Sequence, residues 1–158
     1  MKNTYEQLLK TQGVLYTTTV GVSMRPLLRD GKYVIEIRPA EDGYRRFDAV
    51  LFRRNGVTGR GAYVCHRILK VLPNGRYWIV GDNCTAGETV EEGDILGRMT
   101  GLRRGGQDGY LKTFAYALYC LFWVRPYHLR IALLRLASFV RRVRRFVMRR
   151  VRRILNRS

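Results

Sequence analysis

Apolar and polar positions alternate in short runs through the first two thirds of the chain. Tyr33, Ile35 and Ile37 alternate with Val34, Glu36 and Arg38, the period-two pattern of a strand with one buried face. Residues 14–22, VLYTTTVGV, are dense in β-branched side chains and predict another strand that ends near Gly21. Residues 47–52, 63–72, 76–80 and 95–102 supply further short strands, with Pro73-Asn74-Gly75 as a hairpin turn. Asp30-Gly31, Asn55-Gly56 and residues 59–61 read as turns or loops, Ser23-Met24-Arg25-Pro26 as a turn or short helix, and residues 81–93 as a long loop. Ahead of all this, residues 1–12 predict a short helix anchored by Leu8 and Leu9 and broken by Gly13.

Beyond residue 104 the period changes. Leu129, Leu133, Leu136, Val140, Val143, Val147, Val151 and Ile154 recur every three or four residues, one face of a helix. Pro126 separates that helix from the shorter apolar segment 111–124. The pattern therefore predicts a short helix over 1–13, a β domain over 14–102, a linker over 103–110 and a helical tail over 111–158. The fold class is mainly β, a barrel or sandwich with an amphipathic C-terminal helical region.

Charge sharpens the reading of the tail. The chain has 158 residues and a formal net charge of +18. Its last acid is Asp108, and every later charged residue is Lys112 or an arginine. A helix that only packs on a β core has no use for such a charge. The expected partner is an anionic membrane surface, with apolar side chains below the headgroups and arginines among them. Core packing, oligomerisation and nucleic-acid binding are the alternatives, and nucleic acid would leave the apolar stripe unused. No stretch is long enough for a transmembrane helix; the apolar run 114–124 comes nearest. With no secretory signal read at the N-terminus, the expectation is peripheral attachment on the cytoplasmic face.

Cys65, Cys84 and Cys120 follow no zinc or disulfide spacing, although Cys65 and Cys84 are placed where one bridge could form. No metal or cofactor is expected. Three residues carry candidate chemistry: Ser23 before a turn, His66 inside a strand, and Asp82 in Gly81-Asp82-Asn83. Singly, each reads as structural as readily as functional.

Taken in order, they have a different weight. Gly21-Val22-Ser23-Met24-Arg25-Pro26 resembles the G-x-S-M-x-P box of the type I signal peptidase and LexA-like serine peptidases. Residues 46–52 resemble that family's G-D-x-V-x-F strand, with Phe47 where Gly is usual. Residues 64–70 resemble its base-bearing strand, Gly81-Asp82-Asn83 its G-D-N box, and residues 94–98 its closing strand. Asp30-Gly31 stands where the family has the reverse order. The likeness covers residues 18–102. Where most bacterial members carry Lys, this chain has His66, so the resemblance is to the Ser–His branch typified by the endoplasmic-reticulum signal peptidase.

That resemblance implies a serine endopeptidase acting on a precursor, leader or signal peptide, with Ser23 as nucleophile and His66 as base. Glu88 and Asp82 are equal candidates to orient the imidazole, Asp94 a third. The oxyanion hole would combine the Ser23 N–H with a donor near Gly21. The alternatives are a LexA-like regulator and a catalytically silent module with a cationic tail. Against the regulator, residues 1–20 are too few for a helix-turn-helix and no Ala-Gly bond precedes Ser23.

Overall fold

The computed structural model describes residues 4–29, 31–54, 57, 62–104 and 106–155, the last five as backbone alone. Helix α1 (Tyr5–Gln12) starts at a capping box: Thr4 Oγ1 accepts from Gln7 N and the Gln7 side chain accepts from Thr4 N. Gly13, at φ 67°, closes it in a left-handed turn that favours glycine. Seven strands follow, β1 (Leu15–Thr18), β2 (Tyr33–Arg38), β3 (Ala49–Arg53), β4 (Tyr63–Leu72), β5 (Arg76–Val80), β6 (Gly87–Glu91) and β7 (Ile95–Arg104). They form one antiparallel sheet in the order β1-β2-β7-β3-β4-β5-β6. β1 and β6 are its two ends.

Apolar residues fill both faces near the sheet centre, where Ala49, Val50, Leu51 and Phe52 of β3 are all buried. On one face, Leu51 and Cys65 meet Ile35, Ile37, Leu102 and Leu9 of α1. On the other, Val50 and Phe52 meet Ile68, Ile79 and Val90. Successive side chains of a strand point to opposite faces. His66, paired across from Val50, therefore shares the second face with Phe52, whose ring centroid lies 6.1 Å from the imidazole.

After β7 the chain turns through residues 106–109 and a single 3-10 turn (Tyr110–Lys112) into helix α2 (Phe114–Tyr119). A π-type turn (Cys120–Val124) leads to helix α3 (Tyr127–Leu155). Only the start of α3 is buried on the β domain: Tyr127 and Ile131 pack against Leu69 and Val80, and Arg130 goes in with them. From Leu129 to Val147 the apolar stripe faces outward, with Leu133, Leu136, Val140, Val143 and Val147 all exposed. The stripe thus does not pack on the core. No helix among the described residues is long and apolar enough to cross a membrane.

Some expectations need correction. The mainly-β reading holds only loosely: the seven-stranded antiparallel sheet is there, but strand takes about 33% of the chain and helix about 35%, because α3 alone runs for 29 residues. The expected loop 81–93 contains β6, and Arg103 and Arg104 of the expected linker belong to β7. Cys65 and Cys84 are free thiols. The expectations at Asp30, Asn55-Gly56, residues 59–61 and Gly105 lie outside the described residues.

Candidate active site

Ser23 sits in the turn that follows β1 and is held from both sides by the loop after β5. Asn83 N donates to Ser23 O (2.7 Å), and Asn83 Nδ2 donates to Val22 O (3.1 Å). Gly81 packs beneath. A Cβ built on it would lie 2.7 Å from Ser23 O, 2.8 Å from Cys84 Sγ and 3.0 Å from His66 Nε2. Real Cβ atoms do not approach that closely, so only glycine fits. The same three distances bring the serine, the histidine and the Gly81-Asp82-Asn83 loop to one point.

His66 presents its two ring nitrogens to different neighbours. Nε2 is on the Gly81 and Ser23 side. Nδ1 is buried, has no hydrogen-bond partner among the described residues, and lies 3.7 Å from Glu88 Oε1. Sheet register explains the second contact. Glu88 pairs with Ile79, and Ile79 with Ile68, so Glu88 shares a face with Ile68 and with His66 two residues before it. Burial pushes the imidazole pKa down to about 4; the Glu88 charge opposes this and Arg54 reinforces it. Among the described residues no hydrogen bond joins Ser23 to His66.

Glu88 is itself gripped. Arg54 Nε donates to Glu88 Oε2 (2.8 Å) and Arg54 Nη2 to Oε1, the planar two-point pairing that arginine makes with a carboxylate. Arg54 was not among the residues that the sequence singled out. It falls just after a strand, with nothing in its flanks to mark it.

Asp82 does something else. Its side chain is fully buried and spent on cations: Arg67 Nε donates to Oδ1 (2.9 Å), Arg67 Nη2 to Oδ2 (2.8 Å) and Arg130 Nη1 to Oδ1 (3.2 Å). Tyr119 OH donates to Oδ2, and Trp123 Nε1 donates to the Asp82 carbonyl (3.1 Å). Burial opposes the charge, yet Arg67, Tyr119 and Arg130 outweigh it and hold the carboxyl below its ordinary range. Of the two equal candidates, Glu88 therefore stands at His66 Nδ1, while Asp82 ties the loop to β4 and to the tail. Asp94 ends the 3-10 turn ahead of β7.

Ser23 and His66 line one groove of about 930 Å³. Thr17, Thr18, Thr19, Val20 and Gly21 form part of its wall, and Tyr63, Val64 and Cys65 another. β1 pairs only with β2, and residues 63–66 of β4 pair only with β3, so both walls carry strand edges free of a strand partner among the described residues. Tyr5 spans the groove. Its OH is 2.9 Å from Thr17 Oγ1 and its ring centroid 4.7 Å from that of Tyr63. Gly21, at φ 104°, turns the chain into the serine loop with a backbone angle that side chains resist. Among the described residues no cluster of three His, Cys, Asp or Glu is placed to hold a metal ion. Comparison with protein-family models, with curated proteins and with solved structures finds no match.

Proposed function

We propose that the chain is a serine endopeptidase of the signal-peptidase-like Ser–His type, cleaving an extended segment of a precursor or leader peptide at an anionic membrane surface. The observation that carries this reading is the placement of His66, with Nε2 beside Gly81 on the side of the Ser23 backbone carbonyl and Nδ1 toward Glu88. A buried imidazole is neutral at pH 7, so its lone pair is free for the serine proton, and because burial also weakens it as a base it needs a nearby carboxylate to carry that proton. Ser23 Oγ attacks the scissile carbonyl carbon and its proton passes to His66 Nε2. Oxyanion charge is met by the Ser23 N–H and a donor near Gly21. Collapse breaks the C–N bond, and His66 returns the proton to the departing amine. Water then attacks the ester carbonyl, giving its proton to His66, and Ser23 leaves with that proton restored. Glu88 compensates the imidazolium formed in each half.

The groove supports a peptide as substrate. An extended chain laid between β1 and residues 63–66 gains backbone hydrogen bonds from free strand edges. Phe47 gives independent support to the resemblance. It stands where the resembled strand has Gly and keeps a glycine-like φ of 78°. Phe47 N donates to Ile68 O (2.7 Å), and Phe47 O accepts from Arg67 Nη1 (2.8 Å), which holds that angle. The membrane part rests on α3, whose outward apolar stripe is flanked by arginines and by no acid.

The test is labelling of the pure full-length protein with a fluorophosphonate. Wild type takes up one label at Ser23, Ser23→Ala takes up none, and Glu88→Gln labels more slowly. Equal labelling of wild type and Ser23→Ala would overturn the reading.

A further inference from the structure

Arg130 is placed at a cost. It is buried at the start of α3, and among the described residues only Nη1 of its guanidinium nitrogens has partners, Asp82 Oδ1 and the Trp123 carbonyl. Nε and Nη2 are buried with no hydrogen-bond partner among the described residues. Arg67 already satisfies Asp82 at both oxygens, so the cluster holds two cations for one carboxylate. A neutral side chain at position 130 would serve packing better.

The arginine nevertheless touches the loop that holds the nucleophile. Asp82, between Gly81 and Asn83, receives Arg130 and Tyr119 on its side chain and Trp123 on its carbonyl. Arg135 Nη2 reaches Thr85 O in the same loop (3.4 Å). One residue further along from Asp82, Asn83 N–H fixes Ser23 O at 2.7 Å. One residue back, Gly81 fits between Ser23 O and His66 Nε2. The tail therefore grips the loop by side chain and backbone at its central residue.

We propose that the C-terminal segment is an in-cis positioning element for the nucleophile, with Arg130 acting through Asp82 and Asn83 on Ser23, in addition to its role at the membrane. The proposal rests on the peptidase reading of Ser23. Its mechanical part, tail to Asp82 to Asn83, is measured without any activity. Anchoring alone needs only the outward stripe of α3. The buried contacts at Asp82 are what a mere tether lacks, and they couple the seating of α3 to the geometry of the serine turn.

The experiment uses the full chain as wild type, Arg130→Met, Arg130→Lys and Tyr119→Phe, with Arg142→Met on the exposed length of α3 as control. Two quantities are read: hydrogen exchange of the Asn83 amide, and the rate of fluorophosphonate labelling at Ser23. Arg130→Met keeps the thermal midpoint of wild type or raises it, speeds Asn83 exchange by about tenfold, the worth of one ordinary hydrogen bond, and slows labelling by about 100-fold, the usual effect of a misplaced nucleophile. Arg130→Lys recovers part of both, Tyr119→Phe moves both in the same direction as Arg130→Met, and Arg142→Met moves neither. Unchanged exchange in Arg130→Met and Tyr119→Phe overturns the proposal, as does a loss of labelling that only follows global unfolding. If wild type does not label while Arg130→Met still loosens Asn83, the peptidase reading fails and the coupling stands.

Discussion

Acid should weaken this fold through His66 in particular. The His66 side chain is 8% exposed, its Nδ1 lacks a hydrogen bond among the described residues, and its pKa falls from an ordinary 6.5 to about 4. Burial is the main cause; Glu88 pulls the other way and Arg54 pushes with it. The folded pKa lies below the unfolded one, so as pH drops the unfolded chain takes up this proton first. Stability from the neutral ring is complete above about pH 6.5, is lost as pH falls toward 4, and has no further slope below that. At about 1.4 kcal/mol per unit, the whole window is worth about 3 kcal/mol, and roughly 2 to 3 kcal/mol of it is gone by pH 4.5.

The measurement is urea unfolding followed by the fluorescence of Trp78 and Trp123, at pH 7 and pH 4.5, for wild type and His66→Phe. The phenyl ring fills a similar volume beside Phe52 and cannot titrate. Carboxylates titrate in both proteins and cancel in the difference of differences. Wild type should lose roughly 2 to 3 kcal/mol more than His66→Phe over this interval. Equal losses would mean that His66 keeps an ordinary affinity for protons, and that burial does not govern it. The same depression predicts that labelling at Ser23 stays level from pH 7 down to about pH 5, below the range where an ordinary histidine base loses activity.

Asp82→Asn leaves Arg67 and Arg130 buried without their counter-charge, and should cost about 3 to 5 kcal/mol in urea unfolding; a loss under about 1 kcal/mol would show that solvent reaches the cluster. Gly81→Ala forces a methyl group to within 3.0 Å of His66 Nε2 and closer still to Ser23 O, so labelling should fall by about 100-fold or more; near-normal labelling would show that the loop yields without moving the serine. Changing Leu133, Leu136 and Val140 together to Ser keeps every arginine and removes about 1 to 2 kcal/mol of burial each, weakening sedimentation with anionic vesicles by at least about 100-fold; unchanged sedimentation would make the attachment purely electrostatic.

The elements legible in the sequence are those whose side chains bear the burial pattern. β2 alternates clearly and β4 buries an unbroken run from Cys65 to Leu69, and both match the ranges read from their residues. β6 was not legible, because Gly87-Glu88-Thr89-Val90-Glu91 buries only Val90 and is held at the sheet end by backbone pairing to β5. Ser23 and His66 were visible through their flanking motifs, and the fold brings them to one groove. The choice between Asp82 and Glu88 was not visible, since both are acids at plausible spacing. Register decides it, by setting Glu88 across Ile79 from the His66 face, and burial decides the other half, by surrounding Asp82 with two arginines. Arg130 is one of twelve arginines in the tail. Its neighbours Tyr127 and Ile131 are apolar residues outside the exposed stripe, a faint sign of a second, inward face.

The placement of Arg54 sets the balance of the site. A proton taken from Ser23 turns His66 into a buried cation, which its surroundings disfavour. Glu88 is the nearest compensating charge, but at 3.7 Å from Nδ1 it is not hydrogen-bonded, and Arg54 holds both of its oxygens. The arginine thus draws the carboxylate toward itself and adds a positive charge near the ring, two effects that both oppose the imidazolium. Moving Glu88 by under an ångström would turn the contact into a hydrogen bond to Nδ1–H, a shift that leaves one of its oxygens on Arg54. The one carboxylate, carried by the end strand β6, faces both Arg54 and the histidine. On the proposed reading the site is therefore held back in the free protein by a competition for one carboxylate, and its rate depends on how far substrate binding tips Glu88 from the guanidinium toward the imidazole.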